Sequence, residues 1–343
     1  MNYRGKYLDE WFLEFSNFRE LPFDFDYPTY YKNVANELNK WVHPHVNSGA
    51  MLNDNGFLTD HGPEHIKMLI KRISEFLNTK ENENLLTPFE VLLILLAAHI
   101  HDVANIFGRK NHHINAEIII KQLGEGVARQ HKVIWEYVYE IAKAHKGSVI
   151  QDMNLTENFL SHEIRPQFLA AIIKFADELS EDCSRAERYN VVIENIAKNK
   201  PEAEIYHLYA LCLHSLDPDV NSRVIKYFFQ VEEDMLIKTY PKIDDEGKTK
   251  QVYLLDEIYL RTLKAHYERL YCMRFMRPHI NFDIIQVTIR IKLNNKTTIT
   301  KSYDLVEMGL EELNKNSFYG LCPNLKEFSG EKVEIKIKNG TLN

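Results

Sequence analysis

Up to about residue 200, apolar positions recur every three or four residues, the spacing of one helix face. One such series follows the Asp60-His61-Gly62-Pro63 turn and comprises Ile66, Leu69, Ile70, Ile73, Phe76 and Leu77. The segment Thr87-Pro88-Phe89-Glu90 combines a capping threonine, a proline at the first helical position and a capping glutamate. It predicts a helix that carries the apolar run Val91–Ala98 to about Val103. Further helices are predicted at Pro28–Val42, at Asn115–Leu123, from Ile134 through Val138 and Ile141 to His145, and from Pro166, with Asp177 among its inward positions.

After about residue 200 the apolar period changes to two, which is typical of strands with one wet face. Three segments show this alternation: Arg223–Glu232, Asp283–Leu293 and Val333–Lys338. Between the first two, Val252–Phe275 is predicted to form one long helix, and Asp244–Lys248 a polar turn. The fold class is therefore mainly α: an all-helical domain over 1–198, with an aromatic N-terminal extension, and a smaller α+β module over 199–343.

Composition places the chain among ordinary globular proteins. Its 343 residues favour two domains, and 45% hydrophobic with 27% charged residues excludes a disordered or collagen-like chain. The net charge of -7 disfavours a broad surface that binds nucleic acid or anionic membrane. A small basic pocket is still compatible with this charge. The four cysteines lack CxxC spacing, which suits a reducing cytosol.

No segment predicts targeting or membrane insertion. The N-terminus lacks a basic stretch followed by an apolar one, as a signal peptide would have. The apolar run Val91–Ala98 is short of the ~20 residues that cross a bilayer. We therefore expect a cytoplasmic protein without a membrane partner.

Histidine is the unusual feature of the composition, since eight of the 15 histidines lie between His61 and His145. Among them, His65 and His101 lie on apolar helix faces, as do the carboxylates Asp102 and Asp177. Burying such groups costs several kcal/mol, roughly, unless something compensates them, and a divalent cation would do so. Taken singly, each could be a hydrogen-bonded core residue, and Asp177 could cap its helix or pair with Arg185 or Arg188.

The order His65, His101-Asp102, then Asp177 within Ala176-Asp177-Glu178-Leu179-Ser180 resembles the HD superfamily of metal-dependent phosphohydrolases. The similarity covers roughly residues 59–190. It implies that these four residues bind one or two divalent ions, with Mn, Mg, Co, Ni, Zn and Fe as the candidates.

The segment after the pair, HDVANIFGRKNHHINAE, is similar to the corresponding region of deoxynucleoside triphosphate triphosphohydrolases. That likeness implies a deoxynucleoside triphosphate as the favoured substrate and a catalytic role for His112 or His113. In cyclic-dinucleotide phosphodiesterases of the superfamily, two later histidines hold a second metal, and His113 and His145 would fit. Against that branch, Ala104 replaces the usual glycine and no GYP motif follows.

The expected chemistry is attack of metal-bound hydroxide on a phosphorus atom, because a bound cation lowers the pKa of water to about 7. A protonated His113 or His112 would act as general acid, and His145 is a further catalytic candidate, with a core role as its alternative. Residues that could contact phosphate are His61, Arg109, Lys143, Lys146 and Arg185. For the cations the alternative is a solvated surface, and His61 could instead cap the Asp60 turn.

Other functions stay open at this stage. A phosphodiesterase acting on a cyclic nucleotide or oligonucleotide is the first alternative, and a non-catalytic module that senses nucleotide or metal is the second. A diiron oxygenase is a further one. The opening Asp60–His65 also resembles HD domains of bacterial conflict and defence effectors, which would imply antiviral defence and a regulatory protein or nucleotide partner. A homo-oligomer is compatible with the sequence.

Overall fold

A computed structural model of the chain confirms the mainly α fold class with a C-terminal α+β part. It divides into two compact units, residues 1–180 with 271–281 and residues 181–270 with 282–343. The predicted boundary between residues 198 and 199 stays a prediction. The structure describes residues 6–17, 20–23, 25–46, 62–78, 85–107, 115–123, 132–181, 195–244, 247–277, 279–293, 297–307 and 318–342.

The first unit is built from helices around one central apolar helix. Its helices are α1 (Leu8–Leu13), α2 (Tyr27–Trp41), α3 (Pro63–Leu77), α4 (Pro88–Ile100), α5 (Ala116–Gln122), α6 (Lys132–Lys143) and α7 (Pro166–Glu178). Short 3-10 helices at Val103–Phe107 and Val149–Asp152, and a hairpin of β1 (Glu157–Phe159) and β2 (His162–Ile164), complete it. Helix α4 contacts α1, α2, α3, α6 and α7, so it forms the centre of the unit.

Helix α4 begins as the sequence predicts. Thr87 accepts a hydrogen bond from the Glu90 backbone, and Glu90 accepts one from the Thr87 backbone, which completes a capping box. The α-helix ends at Ile100, short of the predicted Val103, and the chain then tightens into the 3-10 helix. By length and composition, Pro88–Phe107 could cross a membrane, but 94% of its most apolar window is buried inside the protein, as in a core helix.

The aromatic N-terminal segment packs onto this helical core. Phe12 lies edge-on to Tyr31 with ring centroids 5.9 Å apart. The indole nitrogen of Trp135 in α6 donates to the Tyr30 hydroxyl at 2.9 Å. The first contact joins α1 to α2, and the second joins α2 to α6.

The second unit combines a four-stranded sheet with helices. Its helices are α8 (Asn195–Asn199), α9 (Pro201–Cys212), α10 (Glu233–Leu236), α11 (Leu254–Met276), α12 (Phe318–Leu321) and α13 (Gly330–Lys338), of which α11 continues past residue 270 into the first unit. Its strands are β3 (Leu213–Asp219), β4 (Val224–Glu232), β5 (Tyr240–Ile243), β6 (Thr249–Val252), β7 (Ile284–Leu293) and β8 (Thr297–Val306). The long helix and the strands at β4 and β7 were predicted from the sequence.

The sheet has the order β3-β4-β7-β8. Strand β4 pairs in parallel with β7, with Phe229 opposite Ile289, while β3 and β8 pair antiparallel at the edges. Ile225 and Phe229 are fully buried, whereas Lys226 between them is exposed. This alternation is the one-sided burial that the period of two predicted.

The predicted strand at Val333–Lys338 is wrong, because the segment lies in helix α13. Val333 is buried and Ile337 half-buried, one helical turn apart, while Ile335 between them is 50% exposed. Residues four apart lie on the same face in a strand and in a helix. The short alternating run therefore fits both structures. Only the packing of one face separates them.

Candidate metal centre

Three helices bring four polar side chains together in the first unit. His65 lies in the first turn of α3, His101 caps the end of α4 and Asp102 follows it, and Asp177 lies in the last turn of α7. The Nε2 atoms of His65 and His101 are 3.3 Å apart. Asp177 Oδ1 lies 3.2 Å from His65 Nε2 and 3.7 Å from His101 Nε2.

Local sequence signals set these positions. Pro63 at the first position of α3 starts the helix directly before His65. Thr87 caps α4, whose apolar side chains are buried on all sides, so that the helix delivers His101 to the interior. Pro166 starts α7, and Asp177 follows three turns later. It lies one helical turn after the buried Ile173, on the same face.

His145 is a fifth member of the cluster. Its Nε2 atom lies 3.6 Å from Asp102 Oδ1, and its ring stands perpendicular to that of His101 with centroids 5.2 Å apart. The sequence predicted His145 on the face of a helix, but α6 ends at Lys143. The His145 amide bonds to the Ala142 carbonyl at 3.3 Å, a tighter turn than an α-helix, before Gly147 turns the chain with a φ of +72°.

Backbone carbonyls orient two of the imidazoles. His101 Nδ1 lies 2.9 Å from the Ala98 carbonyl, and His145 Nδ1 lies 2.6 Å from the Ala142 carbonyl. A carbonyl can only accept, so each Nδ1 carries the proton in these bonds and each Nε2 faces the cluster. Such partners fix the tautomer of metal-binding histidines.

Burial and mutual charge shift the pKa values of the cluster. Burial favours neutral His101, but the carboxylates of Asp102 and Asp177 outweigh it and raise the pKa of His101 to about 9. Burial would raise the pKa of Asp177, yet hydrogen bonds from His101 and His65 hold it well below its usual range. Burial and the nearby charge of His101 lower the pKa of His145 to about 3. A proton on His101 therefore compensates the carboxylates, and a cation could take its place.

The donor set fits a divalent metal ion. His65, His101 and Asp102 each offer one ligand atom, and these atoms lie within 4.8 Å of one another. Imidazole nitrogen and carboxylate oxygen are usual ligands, and bonds of about 2.0–2.2 Å put ligand atoms of one ion about 3 Å apart. Asp102 also faces two ways, with Oδ2 at 3.5 Å from His101 Nε2 and Oδ1 toward His145. A carboxylate in this position could serve two adjacent ions.

The remaining predicted site residues divide into two groups. Lys143 and Lys146 are exposed and flank His145 in the chain. The others lie outside the described residues: His61, Arg109, His112, His113 and Arg185.

Sequence reasoning missed two buried cations in the helices that carry the cluster. Lys174 in α7 donates from Nζ to the His145 carbonyl at 3.2 Å. Arg72 in α3 donates from Nε to the Leu179 carbonyl at 3.0 Å, just past the end of α7. A charged residue inside an otherwise apolar run, as in Ile173-Lys174-Phe175, is the signal that could have found Lys174.

The helical fold and the His/Asp cluster define an HD-type domain. The HD-CE family model matches residues 56–246, more than half of the chain, and the chain belongs to this family. No curated protein and no solved structure matches the chain. The HD-type domain and its cluster suggest a metal-dependent hydrolase.

Proposed function

We propose that this chain is a metal-dependent phosphohydrolase that acts on a nucleotide, with a deoxynucleoside triphosphate as its favoured substrate. The observation that carries the proposal is the convergence of His65, His101 and Asp102 within 4.8 Å, with Asp177 against both imidazoles. The choice of a triphosphate rests on the sequence likeness that follows His101-Asp102. We also propose a cytoplasmic location.

The residues of the cluster would hold the cation. His65 and His101 would bind through Nε2, and Asp102 and Asp177 through their carboxylates, as their distances allow. A bound divalent cation would lower the pKa of coordinated water to about 7 and neutralise negative charge on phosphoryl oxygens. If a second ion binds, Asp102 and His145 would hold it.

The protonation state of His145 decides its role. With a pKa of about 3 its ring is neutral at pH 7, and the Nδ1 proton is held by the Ala142 carbonyl. Its Nε2 lone pair can therefore bind a cation or accept a proton, but it has no proton to donate. We assign the general acid to His112 or His113 instead, which would protonate the leaving 5′ oxygen of the nucleoside.

The substrate polyphosphate needs cationic donors at the mouth of the site. Lys143 ends α6 and Lys146 follows His145, and since both are exposed they could bind phosphate. We include His61, Arg109 and Arg185 in this set. A few lysines suffice for one nucleotide, which agrees with the net charge of -7.

The test is a nucleotide panel with each of Mn, Mg, Co, Ni, Zn and Fe(II), with products separated by chromatography and phosphorus NMR. The proposed reaction consumes one water and yields deoxynucleoside and tripolyphosphate, because water oxygen bonds to phosphorus and the bond to the 5′ oxygen breaks. A linear nucleotide from a cyclic or oligomeric substrate would indicate a phosphodiesterase and overturn the triphosphate substrate. No product with any metal would overturn catalysis.

Variants separate an enzyme from a sensor. The double change His101→Ala plus Asp102→Ala should abolish turnover, while Lys132→Met should not, since Lys132 is 86% exposed at the start of α6. A sensing module would bind a nucleotide or metal without turning it over. Nucleotide binding by the wild type with no turnover would therefore favour that alternative.

A further inference from the structure

We propose that Lys174 is a positioning residue of the metal centre, which holds His145 in place through the His145 backbone carbonyl. The inference rests on the proposed metal centre and deepens it. Lys174 lies in α7, is 7% exposed, and donates from Nζ to the His145 carbonyl oxygen at 3.2 Å. This bond goes to the backbone of His145, so Lys174 acts on the cluster through His145.

His145 needs such an anchor because it lies outside a helix. Helix α6 ends at Lys143, and the His145 amide bonds to the Ala142 carbonyl at 3.3 Å within the turn. The strongly turned Gly147 follows, with a φ of +72°. The bond from Lys174 ties the His145 carbonyl to α7 and so helps to set the depth at which the imidazole enters the cluster.

Lys174 also connects that turn to a predicted ligand. Lys174 and Asp177 are three residues apart in α7, so they lie on neighbouring positions of one helix face. Because both side chains belong to one helix, the bond from Lys174 fixes the His145 carbonyl relative to the Asp177 carboxylate. Since Asp102 Oδ1 lies 3.6 Å from His145 Nε2, a shift of the turn would change the spacing of the ligands on this side.

Burying a lysine here is hard to explain by stability alone. The neighbours Ile173 and Phe175 are fully buried, and the Tyr271 ring lies 5.9 Å from the ammonium, near the outer limit of a cation–π contact. Taking an ammonium out of water is expensive, and an apolar side chain of similar volume is often equally stable. The charge is better explained by its directed bond to the His145 carbonyl.

The experiment measures Co²⁺ binding by calorimetry and by the visible absorption spectrum, which reports ligand geometry. The variants are Lys174→Met, which keeps the volume and removes the donor, and Lys174→Arg, which restores a donor. Lys132→Met is the exposed-lysine control. Each is also made with His145→Ala, and metal-free unfolding is followed in parallel.

We expect Lys174→Met to weaken Co²⁺ binding by about 10- to 100-fold, as loss of a residue that orients a ligand does, and to alter the spectrum. Lys174→Arg should recover most of both. In the His145→Ala background, Lys174→Met should have little further effect, because the two act in series.

Unchanged affinity and spectrum in Lys174→Met would overturn the proposal, as would an equal loss in both backgrounds. If Lys174→Met does not fold, Lys174→Leu, which also lacks a donor, takes its place under the same criteria. Wild-type protein that binds no Co²⁺ would overturn the metal centre itself, and Lys174's role with it. If the wild type binds Co²⁺ and Lys174→Met binds it equally well, the metal centre stands and only the role of Lys174 is rejected.

Discussion

Arg165 donates two parallel hydrogen bonds to the Glu90 carboxylate, from Nε to Oε1 at 2.9 Å and from Nη2 to Oε2 at 2.7 Å. Glu90 is 1% exposed in the first turn of α4, and Arg165 directly precedes α7. The pair therefore joins the starts of the two helices whose far ends carry His101 and Asp177. Bidentate geometry makes it one of the stronger kinds of ion pair.

Arg165→Met should lower the free energy of unfolding by about 3 kcal/mol, because it leaves the Glu90 carboxylate buried without its partner. Urea unfolding of the metal-free protein measures the loss. Adding Glu90→Gln to Arg165→Met should recover part of it, since no orphan charge then remains. A single variant as stable as wild type would show that the pair contributes nothing.

Asp102→Asn should abolish stabilisation by metal. An ion that binds only the folded state adds about 2.7 kcal/mol of stability when present at 100 times its Kd, so the wild-type Tm should rise with metal concentration. The amide keeps the shape of the Asp102 side chain. It removes the negative charge that Asp102 presents to His101 and His145 through its two oxygens. Thermal scans with Mn²⁺ and with chelator measure the difference.

The matched control is Asp217→Asn on an exposed position of β3 in the second unit. It should retain the full metal-dependent shift. Equal shifts in Asp102→Asn and wild type would mean that the metal binds elsewhere.

Metal uptake should release a proton from His101. In the metal-free protein its pKa is about 9, so the ring is protonated at pH 7 and cannot bind a cation until that proton leaves. Affinity should therefore rise by about tenfold per pH unit up to pH about 9, and level off above it. Calorimetry in two buffers of different ionisation enthalpy counts the protons, and binding at pH 7 without release would contradict this assignment.

The sequence identified the candidate metal ligands better than the contacts that position them. His65, His101, Asp102 and Asp177 stood out because polar ligands on apolar helix faces are costly, and the structure brings them together. The bonding partners of Lys174 and Arg72 could not be predicted, because each bonds to a backbone carbonyl distant in sequence. Periodicity reports which face is buried but not which carbonyl lies opposite.

The same limit explains the errors in local structure. His145 continues the apolar spacing of α6 although the helix has ended, because burial on one side does not require helical backbone. Strand β8, Thr297–Val306, was not predicted, although Ile299, Tyr303 and Leu305 are buried on one face. Lys301 interrupts this apolar series, and the pairing with β7 over ten residues shows that it is nevertheless one strand.

A second buried histidine pair should make the protein sensitive to acid. His43 Nε2 lies 3.3 Å from His99 Nδ1, and burial, with the nearby His99, lowers the pKa of His43 to about 3. The unfolded chain binds this proton near the usual pKa of 6.5, so the folded state loses stability as the pH falls below 6.5, and down to about 3. The loss approaches about 1.4 kcal/mol per pH unit for one group.

His43→Gln should remove that contribution, so its metal-free stability should fall less steeply than that of wild type between pH 6.5 and pH 4. Urea unfolding at several pH values gives both slopes. Asn158→Gln in β1 is the control, since it exchanges one exposed uncharged side chain for another, and its slope should match wild type. Parallel slopes for His43→Gln and wild type would contradict the prediction.

Gly330 tests the corrected structure of the C-terminal segment. A Cβ atom at this position would lie 2.2 Å from Tyr253 Cβ, and Asp256 Oδ1 accepts the Gly330 amide at 3.1 Å. Helix α13 can therefore begin this close to the start of α11 only with glycine there. Gly330→Ala should destabilise the second unit by about 1–3 kcal/mol, the usual cost of overpacking, and lower its Tm.

The control is Gly340→Ala, where a Cβ would meet nothing within 4 Å and only the φ of +65° opposes it. It should cost about 1 kcal/mol through backbone conformation alone. Calorimetric scans of the whole chain compare the two. If Val333–Lys338 formed a strand, as its alternation predicted, the α13 contact at Tyr253 would be absent and Gly330→Ala would be tolerated as well as Gly340→Ala.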